Sequence, residues 1–269
     1  MRIPVSLMAV VVAAGVVARA EGAPSFYSVD VTNDMLVRID ASSGQVINVG
    51  SLGRDVTDTD LAWLDGKLYA VSTGGGRADL LQLLPAIPDT GAAIHLGGLS
   101  QGASAVTVAE SLAVRDGRLL VGYSTQSNIT WSLSLGELSL TGEVTQLASV
   151  HPMDLDGMAT GRAGKVFAID AEPGDGVNWL HSVEPSSLLG SYSLSEGSVN
   201  DLAFADGQMY GIANAPDSLH RIDPADGSKL SAVALVGGGR CLGLAPVPEP
   251  ATGFLLLVGG LAIVRRGRR

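Results

Sequence analysis

One short pattern recurs along this chain and limits the folds open to it more than any other feature. Asp60-Leu61-Ala62-Trp63-Leu64-Asp65-Gly66-Lys67-Leu68-Tyr69-Ala70-Val71 returns as Asp201-Leu202-Ala203-Phe204-Ala205-Asp206-Gly207-Gln208-Met209-Tyr210-Gly211-Ile212. A third copy runs from Ser111-Leu112-Ala113 through Asp116-Gly117 to Val121. A fourth, one residue longer in its turn, runs from Gly157-Met158-Ala159 through Gly164 to Ile169. Each copy is an apolar run, an Asp-Gly type of turn and a second apolar run with an aromatic residue. Asp-Gly supplies the two positive φ angles of a tight hairpin, so each copy is predicted to be a β-hairpin.

A second unit follows the hairpin. Leu36 to Gly44 matches Leu219 to Gly227, with weaker copies at Leu180–Pro185 and Leu135–Gly142. Each alternates apolar and polar residues, turns on Asp, Ser or Gly, and enters another strand such as Val46–Leu52 or Leu230–Val236. Two hairpins make four strands, repeating about every 42–51 residues, which is the period of a propeller blade. The repeats begin at Phe26-Tyr27-Ser28-Val29, equivalent to Leu68-Tyr69-Ala70-Val71, so the first blade lacks its innermost strand. Gly243-Leu244-Ala245-Pro246 supplies one. The expectation is therefore an all-β propeller of about five four-stranded blades, closed by pairing of the N- and C-terminal strands, which removes exposed sheet edges. A sixth, degenerate unit within 72–110 or 122–155 stays open at this level. The body resembles the broad group of β-propeller repeat proteins in outline. It lacks their signatures, such as a repeated Trp-Asp or Asn-His-Leu.

The two ends have a different character. Arg2 precedes an apolar run from Val5 to Val17, and Ala18-Arg19-Ala20 places small residues where a signal peptidase requires them. Residues 1–20 therefore read as a signal helix cleaved after Ala20, leaving 21–246 as the propeller domain. Behind it, 247–269 begin Val247-Pro248-Glu249-Pro250-Ala251-Thr252 and end Arg265-Arg266-Gly267-Arg268-Arg269. Two prolines break structure entering from the body. The apolar helix expected over Ala251–Val264 has 14 residues, about 21 Å at helical rise against a hydrocarbon core of about 30 Å. Arg265, Arg266, Arg268 and Arg269 are expected on the cytoplasmic side. The segment thus reads as a short-lived anchor.

Pro-Glu-Pro, a short apolar run and a terminal arginine cluster, in that order, resemble the PEP-CTERM sorting domain. The resemblance covers 247–269 alone. It implies recognition of Val247, Pro248, Glu249 and Pro250 by an exosortase-type transpeptidase, and delivery to the surface or extracellular matrix of a Gram-negative bacterium. It leaves the body's task open.

Charge narrows that task. Six of the 17 basic residues lie in the two ends, leaving 11 against 27 acidic residues, a formal charge near −16. Such a field repels nucleic acid and anionic lipid and favours cations, basic partners or neutral glycans. Cys241 is the only cysteine, so no internal disulfide forms, and its apolar surroundings suggest a buried strand residue.

Asp60, Asp156 and Asp201 begin innermost strands and are weak candidates for a calcium site at one mouth of the channel, although Ser111 and Gly243 fall at the same place in other blades. Further carboxylates cluster at Asp55 and Asp58, at Asp154, and at Asp170, Glu172 and Asp175, without the spacing of a calcium-binding loop. Turn and strand-entry roles explain them more simply. His95, His151, His181 and His220 lie in separate repeats with no metal-binding spacing, and no Gly-x-Ser-x-Gly elbow occurs. The aromatics Tyr27, Tyr69, Phe167 and Tyr210 share one strand position and are expected to pack between blades. No catalytic residue, cofactor or nucleic-acid partner is expected. The body reads as a non-catalytic binding or structural module for exopolysaccharide or a surface protein. The rival is a lactonase-like propeller hydrolase or lyase with calcium in its channel.

Overall fold

A computed structural model describes residues 23–85, 91–126, 134–150, 154–171, 177–183, 186–193 and 198–248, the stretch 186–193 by its backbone alone. The expected signal helix, and the tail from Glu249 onward, lie outside the described residues. Among the described residues no helix is long and apolar enough to cross a membrane.

The chain enters at β1 (Ser25–Asp30), β2 (Met35–Asp40) and β3 (Val46–Ser51). Four strands follow, β4 (Asp58–Leu64), β5 (Lys67–Gly74), β6 (Arg77–Leu83) and β7 (Ala93–Gly98), then a small hairpin, β8 (Ser100–Gln101) and β9 (Ser104–Ala105). The third group is β10 (Val108–Arg115), β11 (Arg118–Ser124), β12 (Ser134–Leu138) and β13 (Val144–Ser149). The fourth is β14 (Gly157–Thr160), β15 (Val166–Asp170), β16 (Val177–Val183) and β17 (Ser186–Ser193). The fifth is β18 (Ser198–Ala205), β19 (Gln208–Asn214), β20 (Ser218–Ile222) and β21 (Lys229–Ala234), and β22 (Cys241–Pro246) comes last. Among the described residues these make five four-stranded antiparallel sheets. Four are built from consecutive strands, and the fifth runs β22-β1-β2-β3. There is no sixth sheet in 72–110 or 122–155 among the described residues; β8 and β9 form only a two-stranded flap.

The turns behave as the repeated Asp-Gly requires. Asp65 and Gly66 have φ of 50° and 74°, Asp116 and Gly117 52° and 72°, and Asp206 and Gly207 50° and 74°. The longer fourth turn is a single 3-10 turn over Arg162–Gly164, with Ala163 at φ 60°.

Closure joins the two ends of the domain. β1 pairs with β22 from Phe26 opposite Pro246 to Asp30 opposite Cys241. Val247 N–H donates to the Ser25 carbonyl at 2.8 Å, and Gly239 N–H donates to the Asp30 carboxylate at 2.8 Å. The core is divided into five apolar clusters, one at each junction between neighbouring blades. Leu68, Leu80, Leu119 and Leu135 are fully buried there, each contributing about 1.5–3 kcal/mol. The repeated aromatics stack across junctions as expected: Phe167 on Phe204 at 5.3 Å, Tyr210 on Phe26 at 4.9 Å and Tyr27 on Trp63 at 6.0 Å. Cys241 is buried, and burial pushes its thiol up to about 12, so it is an inert core residue.

Candidate functional site

The five innermost strands, β22, β4, β10, β14 and β18, stand side by side around the channel. Each has a partner strand on its outer side alone. Their inward N–H groups therefore lack ladder partners, and burying such donors without acceptors is costly. The aligned repeats place Gly243, Asp60, Ser111, Gly157 and Asp201 at one level, and Leu244, Leu61, Leu112, Met158 and Leu202 just after it.

Two carboxyls serve as acceptors for amides of that second set. Asp60 accepts from the N–H groups of Leu61 and Leu112, and from that of Met158 across the channel. Asp201 accepts from Leu202 N–H at 2.6 Å and from Leu244 N–H. The two side chains also hydrogen-bond to each other, and both residues are wholly buried. Asp201 Oδ2 is sealed from water and accepts from no N–H or hydroxyl donor. Burial is the main reason that both acids lie above the ordinary aspartate range. Asp60 is pushed up to about 7, and its charge raises Asp201 further. Burial therefore favours the protonated form in this pair, more strongly at Asp201 than at Asp60.

Close approach of the blades explains the glycines. A Cβ on Gly157 would lie 2.2 Å from Asp201 Cα, and one on Gly243 would meet Leu61 and the Asp60 backbone. Each aspartate thus sits beside a neighbouring blade that has no side chain at the same level.

One expectation fails here. Asp156 does not join Asp60 and Asp201, because it stands one residue before the ring position, which Gly157 occupies. With a side-chain period of two, one step removes it from the set. Its carboxylate accepts the Ala171 N–H at 2.7 Å instead. The three aspartates therefore do not form one calcium site. Calcium takes six to eight oxygen ligands, whereas five N–H donors already converge on the Asp60–Asp201 pair and favour negative charge there. Among the described residues no three His, Cys, Asp or Glu side chains assemble as a metal would require.

The channel's two mouths differ. At the N-terminal ends of the inner strands, Asp58, Thr59, Glu110, Asp156, Asn200 and Arg240 line a polar recess of about 40 Å³. Glu110 and Asn200 fall at β-bulges in β10 and β18. At the other end an apolar funnel of about 150 Å³ is walled by the Leu or Met and the Ala of each repeat, with Trp63, Val114, Thr160, Phe204 and Pro246 at its rim. The sequence reading placed acidic residues at one mouth but missed the contrast between the two mouths and the convergence of amides. The signal for the pair was the alignment of Asp-Leu-Ala with Gly-Met-Ala and Gly-Leu-Ala at one position, which separates Asp60 and Asp201 from Asp156. Elsewhere, Asp79 on the outer rim draws in Arg54 at 2.9 Å, His95 at 3.3 Å and Arg77 at 3.9 Å. His220 is buried against the Ser218 hydroxyl at 2.9 Å, and burial lowers His181.

No family model and no curated protein matches the chain. Solved structures do. A nidogen–laminin complex has a chain that aligns at 13% identity with a TM-score of 0.53, covering 85% of this chain and 82% of that one. A PQQ-bound aldose sugar dehydrogenase from Streptomyces coelicolor aligns at 16% identity and a TM-score of 0.49, covering 82% and 81%. The glutaminyl cyclase of Myxococcus xanthus aligns at 19% and 0.45, covering 67% and 71%. The likeness is one of fold. At such identities it assigns no activity, because propellers host many.

Proposed function

We propose that this chain is an exported propeller carried to the cell surface or extracellular matrix by its Pro-Glu-Pro tail. Its body acts there as a non-catalytic binding or structural module. Signal peptidase and an exosortase-type transpeptidase are the processing partners, and exopolysaccharide or a surface protein is the ligand class. The observation that carries the reading of the body is the state of the channel's carboxyls. A channel hydrolase needs acidic groups turned toward substrate or metal. Here Asp60 and Asp201 are wholly buried and turned onto the backbone amides of the inner strands. The delivery reading rests on the order of Pro248-Glu249-Pro250, the 14-residue apolar run and the four terminal arginines.

Intact mass and terminal sequencing of the protein from its native host test it. The expected product starts at Glu21 and has lost the region from Leu255 to Arg269. A product resident in the inner membrane that keeps Arg265 to Arg269 overturns it.

A further inference from the structure

The two mouths are separated along one axis, and the chain leaves the body at only one of them. All five inner strands run from the polar recess to the apolar funnel, because their N-terminal residues line the first and their C-terminal residues the second. β22 obeys the same rule. It starts next to Arg240 at the polar mouth and ends at Pro246 on the rim of the funnel, where Val247 is tied down by its bond to Ser25. The apolar run of the tail begins at Ala251, five residues past Pro246, a reach of at most about 18 Å. Whatever surface that run enters lies close to the funnel and far from the polar recess.

The charges follow the same axis. The hairpin turns that end the inner strands surround the funnel and carry Lys67, Arg115, Arg118, Arg162 and Lys165, five of the 11 basic residues outside the two ends. Lys67, Arg118, Arg162 and Lys165 are exposed. The same turns hold Asp65, Asp116 and Asp206, and Arg118 is bonded to Glu137 at 2.8 Å, so the ring is mildly positive on a strongly acidic body. Within it lie the half-buried Trp63, Val114 and Phe204. Trp63 Nε1 and Thr160 Oγ1 are sealed from water without a partner. The opposite mouth has Asp58, Glu110 and Asp156 against Arg240. Basic side chains around aromatic and aliphatic ones, beside an inserting segment, make the composition of an interfacial membrane contact.

We infer that the funnel face is a docking surface for an anionic lipid bilayer, which holds the body with its polar mouth pointing away from the membrane while the tail is inserted. This rests on the reading of the tail given above. Trp63 and Phe204 lie toward the headgroups, the basic turns meet lipid phosphates, and the acidic mouth stays open to partners.

The test uses the full chain with vesicles of phosphatidylethanolamine containing about 30% phosphatidylglycerol, and with neutral vesicles, in flotation and fluorescence. One variant keeps Trp63 as its sole tryptophan, with Trp131→Phe and Trp179→Phe. A second keeps only Trp179, on β16 opposite Asp170 at the far end. Quenching of Trp63 but not Trp179 by lipids brominated near the headgroup is the expected result. The triple variant Lys67→Glu, Arg162→Glu, Lys165→Glu should lose about tenfold or more of its preference for anionic over neutral vesicles, with its fold checked by circular dichroism. If the chain floats with vesicles but both tryptophans are equally shielded and the triple variant is unchanged, the docking face is wrong and the tail reading stands. A full chain that floats with neither vesicle overturns both.

Discussion

Blades 2 and 5 carry a carboxyl where blades 1 and 4 carry no side chain at all, and the difference shows how a repeat protein closes its centre. Asp60 and Asp201 occupy the ring position in two blades, and Gly243 and Gly157 occupy it in the blades just before them. A strictly symmetric ring of five aspartates would crowd five negative charges into a narrow channel. A ring of five glycines would leave five buried amides without acceptors. Two buried aspartates give those amides acceptors, and two glycines let the backbones come close enough for the carboxyls to reach them.

The largest effect should come from removing one member of the pair. Asp201→Ala strips the acceptor from Leu202 and Leu244 and leaves Asp60 without its hydrogen-bonded partner. A loss of about 3–5 kcal/mol in urea unfolding is expected. Asp156→Ala removes a carboxylate of the polar mouth that accepts the Ala171 N–H, and should cost less, about 1 kcal/mol. Equal losses for the two would mean that the ring has been assigned to the wrong register.

The glycine half of the comparison comes next. Gly157→Ala drives a methyl group against Asp201 Cα, a backbone atom that cannot swing aside, and should cost about 3 kcal/mol. Gly66→Ala is the control, because Gly66 has φ +74° but nothing within 4 Å of the added Cβ. Only conformational strain remains there, about 1 kcal/mol. Similar losses in the two variants would remove close approach as the reason for glycine at 157.

Much of the architecture was readable because hairpin chemistry is local. Asp-Gly fixes a turn whatever surrounds it, so Asp65-Gly66, Asp116-Gly117 and Asp206-Gly207 located three blades, and the shared pattern at Gly243–Pro246 located the closure. The site was less readable because it is made of backbone. Nothing in the letters Leu61, Leu112, Met158, Leu202 and Leu244 says that their amides point at one spot; that follows from bringing five distant strands into one ring. Asp156 misled because adjacency to the repeat counted as membership in it, and a strand does not forgive a one-residue offset. The funnel was hidden for a related reason. Trp63 and Phe204 look like ordinary junction aromatics until strand direction places them at one mouth.

The smallest effect per step is also the one that separates a shared proton from a plain ion pair. Both carboxyls are raised by burial, so the folded protein binds a proton that the unfolded chain releases above the ordinary aspartate range. Stability must then fall as pH rises, by about 1.4 kcal/mol per unit for one proton, from about pH 4 up to at least about 7. The surface turns act with the opposite sign. Asp40 is lowered to about 2, mainly by the Ser42 hydroxyl, so its small contribution at the solvent-facing turn is present above about pH 4 and is lost as pH falls from there toward about 2. Asp201→Asn imitates the protonated acid, because its amide can donate to Asp60 while its carbonyl accepts from Leu202 and Leu244. Urea unfolding between pH 5 and pH 8 should therefore show a falling stability in the parent protein and a flatter profile in Asp201→Asn. The same slope in both would mean that Asp201 is not the group whose proton is linked to folding.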